Sequence, residues 1–189
     1  MHTVFLIIGK SGAGKDTVVK ELCSRYGYKQ LISYTTRQRR YEGENTHLFV
    51  SEDEYEAHKA SGSIAGYTLY NEDHYFSTKG QLYENDLYVI DPAGVDYLKD
   101  RASNINLVGI YLDISKREQK RRMRKRGDKR RAIRKRIKND KIAFANVDPS
   151  WYKIDASQDQ EEILKKINKI VRKHLTDSNS CGILKTPTQ

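Results

Sequence analysis

The stretch Thr3 to Ile8 is apolar almost throughout and runs directly into Gly9-Lys10-Ser11-Gly12-Ala13-Gly14-Lys15-Asp16-Thr17. Val18, Val19, Leu22 and Cys23 then recur at helical spacing as far as Tyr26. Strand, glycine loop and helix in this order raise the glycine pattern above chance. The glycines let the backbone curl so that successive N–H groups point inward at phosphate oxygens, and the helix N-terminus adds its partial positive charge. Gly9 through Thr17 are therefore read as the loop that binds ATP, with Lys15 reaching the β- and γ-phosphates. Asp16 stands where the hydroxyl that ligates Mg²⁺ is expected. Its carboxylate is either a hard-oxygen ligand, direct or through water, or a helix cap, and Thr17 is the other oxygen at hand.

The remaining chain alternates in the same way. Strands are expected at Gln30 to Tyr34, Leu87 to Ile90, Asn106 to Leu112 and Tyr152 to Ile154. Helices are expected at Ala93 to Ala102, at Ser115 to about Phe144 with a break near Arg126-Gly127-Asp128, and at Gln160 to His174. Alternation of this kind implies an α/β fold, a three-layer sandwich whose parallel sheet is covered on both faces. Residues 35–83, rich in Tyr, Glu, Gly and His with a short helix at Glu52 to Ala60, break the alternation and are expected to form an inserted substrate-binding lobe. One domain over 1–175 is expected, with a core of 1–34 and 84–175, a helical lid at about 122–138, and a disordered tail over 176–189.

Charge is concentrated in one place. Between Lys116 and Lys138, 15 lysines and arginines stand against Glu118 and Asp128, so this segment carries +13 of the net +10 and the rest of the chain carries −3. Such a run binds a nucleic-acid backbone, binds the phosphates of a small nucleotide, or is a solvated helix face. The apolar run Val4 to Ile8 is far short of the ~20 residues a spanning helix needs, so no membrane partner is expected and the cytoplasm is the expected location. Cys23 and Cys181 lie far apart and are expected to be free thiols.

Beyond the loop, Ser33-Tyr34-Thr35-Thr36-Arg37, followed by Arg40, Gly43-Glu44 and Phe49-Val50, resembles the guanylate kinase pattern S-x-T-T-R-x-x-R with G-E and a downstream F-V. The resemblance continues through Tyr75-Phe76-Ser77-Thr78, Asp91 at a strand end, Arg122, Arg126-Gly127 and Arg136, and so spans most of Thr3 to Val171. It implies a nucleoside monophosphate kinase that uses ATP and Mg²⁺. In that family Ser33, Arg37, Arg40 and the position of His47 would hold the acceptor's phosphate, and Ser77 and Asp91 would help bind its base. Lys15, Arg37, Arg122, Arg126 and Arg136 would be the catalytic cations. Elementary chemistry agrees: a guanidinium grips phosphate bidentately, and phosphoryl transfer needs two anions held in line with their repulsion offset.

Three positions depart from the pattern. The glutamate that would accept from guanine's donor edge falls by spacing at Gly66, with Glu72 or Asp73 as substitutes; His47 replaces a tyrosine, and Phe76 replaces a glycine. The Gly-Lys-Asp form of the loop is also similar to that of ribose bisphosphate phosphokinases and of some viral deoxynucleotide kinases. A non-catalytic guanylate-kinase-like binding module is the alternative outside the enzymes, and the intact loop argues against it.

Overall fold

The computed structural model describes residues 1–180. In chain order the first half comprises β1 (His2–Gly9), α1 (Lys15–Tyr26), β2 (Gln30–Leu31), β3 (Tyr34–Thr35), β4 (Leu48–Phe49), α2 (Glu52–Ala60), β5 (Ile64–Tyr70) and β6 (Asp73–Thr78). The second half comprises α3 (Lys79–Glu84), β7 (Leu87–Val89), α4 (Pro92–Lys99), β8 (Ile105–Asp113), α5 (Lys116–Lys125), α6 (Arg130–Ala143), β9 (Tyr152–Asp155) and α7 (Gln160–Ser180).

A five-stranded sheet ordered β2-β7-β1-β8-β9, parallel at every pairing, forms the centre. β1 reads as a continuous apolar run because both of its faces are buried. Phe5 and Ile7 pack with Val18, Val19 and Leu22 of α1 and Leu164, Ile167 and Val171 of α7. Val4, Leu6 and Ile8 face the other way, onto Val95 and Leu98 of α4 and Leu82 of α3. The result is helices on both faces of the sheet, with β1 between β7 and β8, so that the loop after β1 opens where the strand order reverses.

The segment 34–78 builds a second sheet, ordered β4-β3-β6-β5, in which β3 pairs parallel with β4 and antiparallel with β6. Phe76, Tyr55 and Ile64 form its own small core. The strand expected over Gln30 to Tyr34 is in fact two. Gln30 and Leu31 pair with β7 in the central sheet, whereas Tyr34 and Thr35 pair with β4 and β6 in the second. The helix α3 was not anticipated, although Thr78 and Gln81 form a capping box at its start. The last helix runs past the expected end at His174 to Ser180. The remaining tail positions, including Cys181, lie outside the described residues.

Candidate active site

The loop after β1 owes its shape to Gly12 and Gly14, at φ 81° and 89°, a region that side chains with a Cβ rarely enter. Gly14 is the N-cap of α1, so Asp16 lies inside the first turn and does not cap the helix. Asp16 and Thr17 are exposed and line a pocket of about 310 Å³ with Ser11, Gly12, Gly14, Lys15, Arg122, Arg126 and Arg136. The loop, α5, α6 and three of the arginines singled out in the sequence thus meet here.

Each cation is held differently. Lys15 Nζ donates to Gly9 O at 2.6 Å. Burial pushes its ammonium below the usual lysine range, while Asp16, Asp140 and Asp91 pull it back up. Arg122 braces the loop: it pairs with Glu118 at 2.7 Å, donates to the Gly12 and Ala13 carbonyls at 3.4 Å, and donates to Ala156 O at 2.6 Å. Arg126, just past the end of α5, is turned onto Asp128 at 2.6 Å. Arg136 reaches the pocket from α6 with no ion pair of its own among the described residues. Two loop positions do not present side chains to this pocket. Lys10 points away, to Asp113 at 3.1 Å, and Ala13 is buried.

A second cleft of about 420 Å³ adjoins the first and shares Ser11 and Lys15 with it. Ser33, His47 and Tyr75 line one part, and Tyr67, Thr68, Tyr70, Asp91, Asn139 and Phe144 another. Ser33 Oγ and His47 Nδ1 share a hydrogen bond at 3.0 Å, and burial, with the nearby Arg37, pushes the imidazole pKa down toward the neutral form. Asp91 Oδ1 accepts from Thr68 Oγ1 at 3.0 Å and from Gly94 N at 2.7 Å, so this carboxylate both caps α4 and faces the cleft. The rim is bridged where Lys135 of α6 donates to Asn71 Oδ1, at the tip of the β5–β6 hairpin, at 3.3 Å.

Several anticipated acceptor residues are placed elsewhere. Arg37 stands outside the cleft lining, its guanidinium on Glu44 at 2.8 Å and its buried Nε without a partner among the described residues. Glu44, 1% exposed, also accepts from Arg40 N at 2.7 Å and Thr46 Oγ1 at 2.9 Å, so it organises the loop instead of contacting a ligand. The Arg40 side chain is exposed and does not line the cleft. Ser77 is fully buried in β6, and among the described residues its Oγ has no hydrogen-bond partner. Glu72 and Asp73 sit at the hairpin tip, where Asn71 and Glu72 have φ of 50° and 71°, and neither lines the cleft. At Gly66 an added Cβ would stand 2.8 Å from Ser77 Oγ and 3.1 Å from the Tyr88 hydroxyl, so the backbone packs where a side chain would begin.

Sequence reasoning overlooked Tyr67, Thr68, Asn139 and Asp140 as cleft residues. Thr68 and Tyr70 alternate along β5 with polar and aromatic character, which is a strand signal, but the pairing that turns them to the cleft is non-local.

A family model described as "AAA domain" matches residues 6–144. A guanylate kinase of Mycoplasma genitalium is 27% identical over 180 residues, covering 89% of this chain and 74% of that protein. One of Fusobacterium nucleatum is 29% identical over 149 residues, covering 74% and 80%. Among solved structures, guanylate kinase from Anaplasma phagocytophilum superposes with a TM-score of 0.70 at 22% identity, covering 92% of this chain and 86% of that one. A gluconokinase from Sinorhizobium meliloti superposes at 0.52 and 14% identity, covering 96% and 98%. Residues 6–144 place the chain in the family matched as the AAA domain, and, taken with a phosphate loop after β1 and two pockets meeting at Lys15, the curated and structural likenesses support a divergent member of the guanylate kinase family.

Proposed function

We propose that this chain is an ATP-dependent nucleoside monophosphate kinase that transfers the γ-phosphoryl group of ATP to the phosphate of GMP, dGMP or a related nucleotide, giving the diphosphate. One observation carries the reading: a cation-lined phosphate pocket and an aromatic, hydroxyl-bearing cleft abut at Ser11 and Lys15. A donor triphosphate in the first and an acceptor phosphate in the second would face each other across that shared edge. We take residues 35–83 as the acceptor lobe and about 122–138 as the lid, acting in the cytoplasm on small nucleotides.

Phosphoryl transfer asks little covalent work of a protein and much positioning and charge stabilisation. Lys15, Arg126 and Arg136 oppose the charge of the donor phosphates, and Arg122 holds the loop carbonyls so that its N–H groups keep facing inward. Ser33 and His47 bond the acceptor phosphate, with Arg37 behind them fixing the loop through Glu44. The aromatic wall takes the base, and Asp91 offers it an acceptor oxygen. Mg²⁺ fits the oxygens that Asp16 and Thr17 present at the first pocket, since this ion is ordinarily held by one or two protein oxygens together with substrate phosphates. Asp16 or Thr17 would hold it, and it would neutralise phosphate charge.

The acceptor base is read without a carboxylate at Gly66. A site rejects analogues strongly only when its own buried acceptors would be left unpaired, so discrimination among bases is expected to be shallow. The test is ADP release coupled to product identification with ATP, Mg²⁺ and a panel of GMP, dGMP, other monophosphates and ribose bisphosphate. Turnover of GMP or dGMP with weak discrimination is expected. Absence of transfer to every monophosphate overturns the reading, and a strict preference for GMP overturns its shallow selectivity.

A further inference from the structure

Ser11, which with Lys15 lines both pockets, has every one of its polar groups taken by α5 and α6. Its N–H donates to Asp140 Oδ2 at 2.9 Å and its hydroxyl to Asp140 Oδ1 at 3.2 Å. Gln119 Nε2 donates to Ser11 O at 3.3 Å and to Asp140 Oδ2 at 2.7 Å. Gln119 is 3% exposed, so α5 fixes the carboxylate from behind. Asp140 comes from the last turn of α6, one turn beyond Arg136 and on the same helix face. That face therefore sends a cation into the phosphate pocket and an anion onto the phosphate loop.

A carboxylate on a loop N–H, beside Lys15, has the chemistry of the ligand such a loop is built to take: an anionic oxygen accepting from backbone donors. One N–H cannot serve a carboxylate and a phosphate at full strength. Two anions on the shared edge would also repel strongly in a partly desolvated site. We infer that Asp140 is an internal stand-in for the terminal phosphate of the donor, a positioning residue that clasps lid to loop and is displaced when the γ-phosphate arrives. Displacement releases the helix face that carries Arg136 toward the transferring group. Once the phosphoryl group has moved to the acceptor, the diphosphate no longer presents charge at Ser11, and return of Asp140 favours its departure. The clasp thus sets the balance between triphosphate and diphosphate at the donor site, and it rests on the proposal that this loop binds ATP.

The experiment is calorimetric titration of the full chain, in Mg²⁺, with a non-hydrolysable ATP analogue and with ADP, for the wild type, Asp140→Asn and Asp140→Ala. The isosteric Asn variant keeps the shape of the site should the Ala variant fold poorly. Removing the charge is expected to tighten the analogue about tenfold while leaving ADP within about twofold, and to lower KM for ATP. A purely structural role would lower the melting temperature and shift both nucleotides alike, or neither. An analogue affinity that is unchanged or weaker in both variants, or equal shifts for analogue and ADP, overturns the inference alone. Failure of the wild type to bind either nucleotide removes the donor reading and overturns both.

Discussion

Lys15 has the most direct charge on the shared edge of the two pockets, and its ammonium is already desolvated, which strengthens whatever anion it meets. Lys15→Ala is expected to cut phosphoryl transfer by on the order of a thousandfold or more, with circular dichroism unchanged; near-normal turnover by the folded variant would remove the kinase reading. Gly66 makes the opposite kind of prediction. Because its missing Cβ would lie 2.8 Å from Ser77 Oγ, Gly66→Ala should destabilise the chain by about 1–3 kcal/mol as an overpacked site, read as a lower denaturation midpoint. Gly66→Glu should fare worse, since its longer side chain starts from the same crowded Cβ beside Ser77 and Tyr88. The loop residues were legible in the sequence because their chemistry is local: glycines, a lysine and a helix start within nine positions. The close packing at Gly66 was not, because Ser77 and Tyr88 reach it through separate strands.

At the scale of elements, α5 and α6 carry a net +6 each, so the rest of the chain is slightly acidic against the net +10, and the geometry separates pocket-lining positions from solvated ones. Arg122, Arg126 and Arg136 line the phosphate pocket, while Arg131 is exposed and outside it. Arg136→Ala is expected to lower kcat by at least tenfold, the scale on which a guanidinium aimed at transition-state charge acts. Arg131→Ala should stay within about twofold, as surface changes usually do. Equal losses in steady-state assays of the two variants would mean that bulk charge, not placement, is what the lid supplies. The break between these helices was readable, since Gly127 sits at φ 90° where the helical pattern lapses. The second sheet was not: β3 and β4 are two residues each and are defined by partners far along the chain, so no local period announces them.

The molecule as a whole is stapled by carboxylates, which gives its stability an acid limb with a predictable origin. The Arg37 hydrogen bonds, followed by the Arg40 N–H, hold Glu44 at a pKa of about 2 against an ordinary 4.5. Arg121 and Arg122 hold Glu118 at about 2, and Ser150 with Lys99 holds Asp148 at about 2. In each case the folded pKa lies below the unfolded one, so the unfolded chain takes up protons first as the pH drops. The stabilisation is complete above the unfolded value, near 4.5 for the two glutamates and 3.8 for Asp148, and is lost as the pH falls toward 2. The three sites should respond differently to salt. Glu44 is 1% exposed, whereas the Glu118 and Asp148 side chains are 18% and 28% exposed and more open to screening. Thermal melts from pH 7 to pH 2 are therefore expected to be flat to about 4.5 and to fall below it, with a steep part that survives high salt. Glu44→Gln should start from a lower melting temperature, because Arg37 loses its partner, and should fall less steeply in that window. A Glu44→Gln curve that starts at the wild-type melting temperature and runs parallel to it would show that the loop holding Arg37 does not depend on this ion pair.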